Sequence, residues 1–359
     1  MNATLQVTAL GQSIWLDNLS RSLIRDGTLA RLIAEDGVSG VTSNPSIFQS
    51  AIASSLHYTD DLVRLRASEP HAERRYEALV IPDVQAACDL LQPVFGRSGG
   101  VDGYVSLEVA PRWAYDAART VEEAQRLAAA VDRHNLLIKV PGTHDGVRAF
   151  EALTTLGINV NVTLLFSVAQ AEAVFDAYIR GLSARAAAGA EVRQSKAVAS
   201  LFLSRVDTLI DRQLTAVGTQ EALSLRGKAA VAMAKIAYQR YLDKFHGEAF
   251  DPLRKLGATP QFLLWASTGV KNPDYHELLY VEPLIGRETI NTLPDKTLAA
   301  LRTQGRPAPR LEHGVAEAMA QLAELAQLGI DMEVVGHTLQ VDGVNLFEAA
   351  FQKLLQQVA

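Results

Sequence analysis

The sequence predicts an α/β protein built as a closed (β/α)8 TIM barrel with inserted and C-terminal extra helices. Three observations predict it. Eight short apolar runs recur along 359 residues, amphipathic patterns separate most of them, and polar residues cluster toward the C-terminal ends of the runs. Strand-then-helix alternation is the pattern of parallel strands joined by crossover helices. Parallel strands are buried on both faces and read as near-continuous apolar runs. An open doubly wound sheet is the alternative for the same alternation.

The runs, in order, are SIWLDN (13–18), GVTSN (40–44), GYVSLEV (103–109), LLIKVPG (136–142), INVNVTLLF (158–166), AVASLFL (197–203), FLLWAST (262–268) and LYVEPLIG (279–286). The stretch of about 48–100 is long for one crossover and predicts several helices inserted between the second and third strands. TVEEAQRLAAAVDRH (120–134) and SVAQAEAVFDAYIRGLSARAAAG (167–189) carry apolar residues at helical spacing. LEHGVAEAMAQLAELAQLG (311–329) and VNLFEAAFQKLLQQV (344–358) predict two more helices, with IDMEVVGH between them as a short extended piece. These C-terminal helices, within about 295–359, are expected either to cover the barrel's base or to pair with another subunit. No Pro/Ser-rich linker divides the chain, so residues 1–359 are expected to form one barrel domain.

Composition excludes several classes. With 34 Lys plus Arg against 40 Asp plus Glu, the formal charge is -6, and no basic block stands out, so nucleic acid is not an expected partner. A 48% hydrophobic content supports a large core rather than disorder. Cys88 is the one cysteine, which rules out an internal disulfide and leaves a Cys-based metal site short of ligands. A reducing, cytoplasmic setting is expected. The start, MNATLQVTALGQSIWLDN, lacks the basic-then-apolar pattern of a secretory signal. No uninterrupted apolar stretch reaches ~18 residues, so no membrane span is expected. His57, His71, His134 and His144 form no metal-spaced pair, and no metal is expected. Gly142 to Gly146 lacks P-loop spacing and reads as a turning loop.

The polar residues share one address. Asp17, Asn44, Glu108, Lys139, Asn161, Thr163, Ser200 and Ser267 all fall in or near the C-terminal part of a run. Unpaired burial of such groups costs several kcal/mol, and in a (β/α)8 barrel that end of the strands is the floor of the active site. Ile138 and Val140 flank Lys139, so alternation puts the lysine on the opposite face from both. An ordinary lysine is neutral only about once in 2,500 at pH 7; desolvation favours the neutral amine, which can attack a ketone and form a Schiff base. A buried ion pair of Lys139 with Asp17 or Glu108 is the structural alternative. Both carboxylates also suit the proton transfers of carbon–carbon cleavage.

At these residues the sequence resembles the transaldolase family. GVTSNPSIF (40–48) matches one signature, and LLIKVPGTHDGVRAFEAL (136–153) matches the signature around a Schiff-base lysine. IWLDNLSR, INVNVTLLFS and SLFLSR agree in order, and the likeness spans most of residues 11–295, with the length and tail of the family's longer-chain branch. The resemblance implies a (β/α)8 barrel whose lysine lies on the fourth strand. It implies Lys139 as the Schiff-base lysine, Asp17 as the acid/base carboxylate, Glu108 as the carboxylate acting through a bound water, and Thr163 as the residue positioning that water. Asn44, Asn161 and Ser200 then hold substrate hydroxyls, and Phe202 is an aromatic wall. Arg205 becomes a phosphate ligand rather than a surface arginine at a helix start. The seventh run departs from the family's commoner pattern, which has an arginine after Ala-Ser. Here Lys271 is the candidate for the second phosphate charge, and Ser267 for a hydroxyl contact. The implied activity transfers a dihydroxyacetone unit between phosphorylated sugars, with no cofactor, by a monomer or homodimer. A simple aldolase and a catalytically silent scaffold are the competing readings.

Overall fold

A computed structural model describes residues 2–359. Eight parallel strands, β1 (Gln12–Leu16), β2 (Val38–Thr42), β3 (Tyr104–Glu108), β4 (Leu136–Pro141), β5 (Val160–Leu165), β6 (Ala197–Phe202), β7 (Phe262–Ala266) and β8 (Thr289–Leu293), close into a barrel in chain order. Closure is made by β8, which pairs in register with β1 from Gln12↔Thr289 to Leu16↔Leu293 and with β7 on its other side.

Helices fill the connections. α1 (Ala3–Ala9) precedes β1, and α2 (Arg21–Arg25) and α3 (Thr28–Asp36) follow it. The expected insertion after β2 is α4 (Pro45–Ser54), α5 (Thr59–Ser68) and α6 (Ala72–Arg97). Single crossover helices follow the next three strands: α7 (Ala117–Val131), α8 (His144–Leu156) and α9 (Val168–Ala187). After β6 come α10 (Ser204–Val217), α11 (Gln220–Ser224), α12 (Ala229–Phe245) and α13 (Asp251–Lys255). After β8 come α14 (Asp295–Gln304), α15 (Val315–Gln327) and α16 (Met332–Val358). Where strands hand over to helices, short polar side chains cap the free N–H groups: Asn44 accepts from Ile47 N–H, Thr143 from Gly146 N–H and Ser167 from Gln170 N–H. Gly146 is required by close approach, because a Cβ there would lie 1.8 Å from the Pro141 carbonyl oxygen.

Three expectations are corrected. LYVEPLIG is not the eighth strand; it forms turns and a 3-10 segment (Glu282–Leu284) between β7 and β8. Pro283 has no N–H to give a central ladder. The strand is instead TINTL, whose polar residues hid it. All five positions are buried, and each polar one is bonded: Thr289 to the Gly286 carbonyl (2.6 Å), Asn291 to the Tyr280 carbonyl (3.1 Å) and Thr292 to Thr42 (2.6 Å). The piece IDMEVVGH is not extended either. Asp331 caps α16 through Glu333 N–H at 2.8 Å, and from Met332 onward the segment is its first turns. Nor does α16 cover the base. It packs on α4, α6, α10 and β5 and lies across the C-terminal mouth of the barrel.

α6 adds a further difference. By length and composition alone its 26 residues could cross a membrane, although no uninterrupted apolar run announced this. Its buried side chains, Tyr76, Leu79, Val80, Val84, Ala87, Cys88 and Leu91, belong to the core packed around the barrel. Its Asp83 accepts from the buried Arg21 Nε at 2.8 Å.

Candidate active site

Lys139 sits in the middle of β4, between Glu108 of β3 and Asn161 of β5 in the strand register. Alternation turns its side chain into the barrel, where the residue is 5% exposed. Nζ donates to the Ser43 carbonyl at 2.9 Å and lies 3.8 Å from Glu108 Oε2. The lysine therefore has a carboxylate beside it and still lines a cavity of about 180 Å³ at the mouth. Burial raises the Glu108 acid to about 7; Lys139 opposes the rise and Asp17 adds to it. Burial also raises Asp17, against its 2.7 Å hydrogen bond from Thr42 and the charge of Lys139. Two buried carboxyl groups flanking one amine can hold and pass protons, Glu108 near neutral pH.

β5 is irregular where it meets the site. Its register shifts between Val162 and Leu165, and Leu164 adopts φ +60°, an unfavourable region for a branched residue. Such bulges re-aim side chains beside active sites. Here the bulge presents Thr163 to the cavity, with Oγ1 buried and lacking a protein partner, as is Glu108 Oε2. The α16 amide of Gln340 pins the bulge, donating to the carbonyls of Leu164 (3.0 Å) and Gly142 (2.8 Å). Gly343 lets the helix come this close, since a Cβ there would meet Leu164 Cδ2 at 2.9 Å.

The opposite wall is cationic. Arg205, in the first turn of α10, and Lys271, after β7, both line the cavity. The Arg205 guanidinium lies over the rings of Phe202 (5.6 Å) and Phe347 (5.9 Å), and its buried Nη1 has no protein partner. Burial lowers its pKa from the usual arginine value. Ser267, at φ +54°, shares a 2.8 Å hydroxyl contact with Ser204. The loop carrying Lys271 is tied to α10 by two bonds: Tyr275 Oη to Asp211 at 2.6 Å and Tyr280 Oη to Asp207 at 2.9 Å.

Comparison with known proteins agrees with this geometry. A profile of the Transaldolase/Fructose-6-phosphate aldolase family matches residues 14–358. A transaldolase of Thiobacillus denitrificans is 71% identical over 358 residues, covering 100% of both chains. One from Neisseria gonorrhoeae is 49% identical over 97% of each chain, and Transaldolase 1 of Streptomyces coelicolor is 45% identical over 97% of this chain and 92% of its own. The chain belongs to the transaldolase/fructose-6-phosphate aldolase family.

Within this family member, nine of the eleven residues singled out from the sequence line one cavity: Asp17, Asn44, Lys139, Thr163, Ser200, Phe202, Arg205, Ser267 and Lys271. Glu108 and Asn161 do not. Glu108 lies beside the Lys139 amine and lines a narrow neighbouring cavity with Tyr76, Glu77 and Phe351. Asn161 is fully buried behind the wall, accepting from Ser200 Oγ (2.6 Å) and donating to Ser106 Oγ (3.1 Å). It therefore orients the Ser200 hydroxyl. Sequence reasoning missed Thr42, Thr292 and Phe347. No local pattern could place Phe347, which α16 brings to the mouth from the far end of the chain.

Proposed function

We propose that this chain is a transaldolase of the non-oxidative pentose phosphate pathway. It reversibly transfers a dihydroxyacetone unit from sedoheptulose 7-phosphate to glyceraldehyde 3-phosphate, giving erythrose 4-phosphate and fructose 6-phosphate. The observation that carries this reading is the Lys139 amine, buried at the barrel mouth between two raised carboxyl groups and facing a cationic wall.

The neutral amine of Lys139 attacks the C2 ketone. Protonated Glu108 delivers a proton as the carbinolamine loses its hydroxyl as water, leaving an iminium. Thr163 positions the water involved. Asp17 takes the proton of the C4 hydroxyl, the C3–C4 bond breaks, and its electrons pass into the iminium to give an enamine. The aldehyde product leaves; the acceptor aldehyde adds to the enamine carbon and takes the proton back, and hydrolysis frees Lys139. Asn44 and Ser200 hold hydroxyls, with Asn161 fixing Ser200. Arg205 and Lys271 hold the phosphate, for which a planar guanidinium suits a dianion. The lysine iminium is itself the electron sink for these steps. A reducing, cytoplasmic setting fits the single buried thiol, Cys88, held in its protonated form by burial, and the chain is proposed to act as a monomer or homodimer.

Borohydride reduction in the presence of fructose 6-phosphate should add a three-carbon or six-carbon fragment to the peptide holding Lys139. An unmodified peptide from folded protein would overturn the reading. Release of free dihydroxyacetone without an aldehyde acceptor, at the rate of transfer, would make the enzyme a simple aldolase.

A further inference from the structure

The opposite end of the barrel carries a second polar cavity. It occupies about 570 Å³ at the N-terminal ends of the strands, bounded by the starts of β3 and β4 and by the turns leading into β5 and β6. Small-molecule sites fall in the range of roughly 300–1,000 Å³. Its basic residues are Arg133, His134, Arg185, Arg193 and Lys196, and its one carboxylate is Glu191.

Two of these charges are accounted for. Arg133 is held by Asp89 at 2.6 and 3.1 Å, and Arg193 faces Glu191 at 4.0 Å. Arg185 instead donates to two carbonyls, Glu191 O (2.7 Å) and Thr155 O (3.2 Å), and no carboxylate neutralises it among the described residues. Lys196 is the sharper case. It is 2% exposed, and its Nζ is buried without a hydrogen-bond partner. The contact it does make is with the Phe262 ring, 4.0 Å below. The carboxylates that favour its charge are already engaged elsewhere. Asp102 accepts from Ser13 (2.5 Å) and Trp15 (2.8 Å), and Glu288 from Tyr241 (2.7 Å) and His246 (2.6 Å). A buried ammonium without a contact ion costs several kcal/mol, and burial pulls its pKa down to about 8. A bound anion would remove that cost.

We propose that this cavity is a second anion site, which takes the phosphate of a small phosphorylated metabolite at its Arg185 edge, drawn there by the uncompensated charge of Lys196 buried in the cavity wall. Asn159, Ser195 and Gln194 supply amide and hydroxyl groups for a hydroxylated body, while Leu136, Ile138 and Ile158 close the wall. The site is separate from the mouth, because Lys139 opens onto the other end of the same strands.

Calorimetric titration with inorganic pyrophosphate at pH 7 tests this. Using protein with both Arg205→Ala and Lys271→Ala weakens phosphate binding at the mouth, and the further loss caused by substitutions at the base reports the second site. One saturable site is expected there. Adding Lys196→Met or Arg185→Gln should weaken it at least tenfold. Each of these two substitutions, made alone in the wild-type background, should leave sugar-phosphate turnover unchanged. Should the methionine variant not fold, the exposed-edge Arg185→Gln variant decides alone. Absence of saturable binding in protein with both Arg205→Ala and Lys271→Ala, or equal affinity in the variants at the base, would overturn the proposal.

Discussion

Glu108 lies 3.8 Å from the Lys139 amine, yet burial lifts its acid to about 7. A carboxyl group that is protonated up to neutral pH can serve as the acid for carbinolamine dehydration. Schiff-base formation should therefore slow as pH rises through about 7, measured by rapid quench with borohydride. Glu108→Gln should abolish that limb and lower the rate by about a hundredfold. The same shift has a stability consequence. A carboxyl group with a raised folded-state pKa stabilises most below its unfolded pKa, and that contribution is lost as pH climbs through the folded value. Between pH 5 and 8 the wild type should lose up to about 3 kcal/mol that Glu108→Gln does not lose. Thermal melts of both proteins at the two pH values read this out, and parallel losses would refute the assignment. At this scale the sequence was highly legible. The shared address of Asp17, Glu108 and Lys139 follows from their places along the apolar runs, and the inward face of Lys139 from alternation, whereas the Ser43 carbonyl that holds the amine could not be read from residue types.

The connection between β7 and β8 holds no α-helix, so its geometry depends on a few bonds. Tyr275 and Tyr280 anchor it to Asp211 and Asp207 of α10, the helix that also carries Arg205. Tyr275→Phe removes the donor to a carboxylate and should cost about 1–2 kcal/mol in the placement of Lys271. The expected result is a KM for fructose 6-phosphate raised about tenfold with a much smaller change in kcat, and an unaltered KM for unphosphorylated fructose. A matched rise for both sugars would show general loosening instead. α16 makes a similar point about elements. Its helical character was partly legible from VNLFEAAFQKLLQQV, but its position was not. Packing against β5 depends on Gly343 and Gln340 meeting a bulge more than 170 residues away in sequence. Periodicity carries no information about such meetings. The eighth strand failed for a related reason: its polar residues bond to Gly286, Tyr280 and Thr42, partners that exist only once the ring is closed.

At the scale of the molecule, some of the buried polar atoms without partners lie where the chemistry is proposed to occur, and others are spread through the rest of the barrel. Thr163 Oγ1 and Arg205 Nη1 at the mouth, and Glu108 Oε2 beside the Lys139 amine, are all buried without partners among the described residues. Buried orphans of this kind cost about 1–3 kcal/mol each, and the strained φ of Leu164 and Ser267 adds to the load at the same end. The remainder of the closed ring, with its continuous core, tolerates that load. Such a distribution implies that stability and activity oppose each other at the mouth. Thr163→Val tests this, since it keeps the shape of the side chain and deletes the orphan hydroxyl. The variant should melt about 2 °C higher, corresponding to roughly 1 kcal/mol in a protein of this size. It should also form the Schiff base more slowly, because the water proposed to bridge Thr163 and Glu108 loses a ligand. Thr163→Ser, which keeps the hydroxyl, should restore most of the rate without the gain in melting temperature. A valine variant that is both slower and less stable would show that the hydroxyl is a structural group, and the opposition between the two properties would then have to be sought elsewhere in the ring.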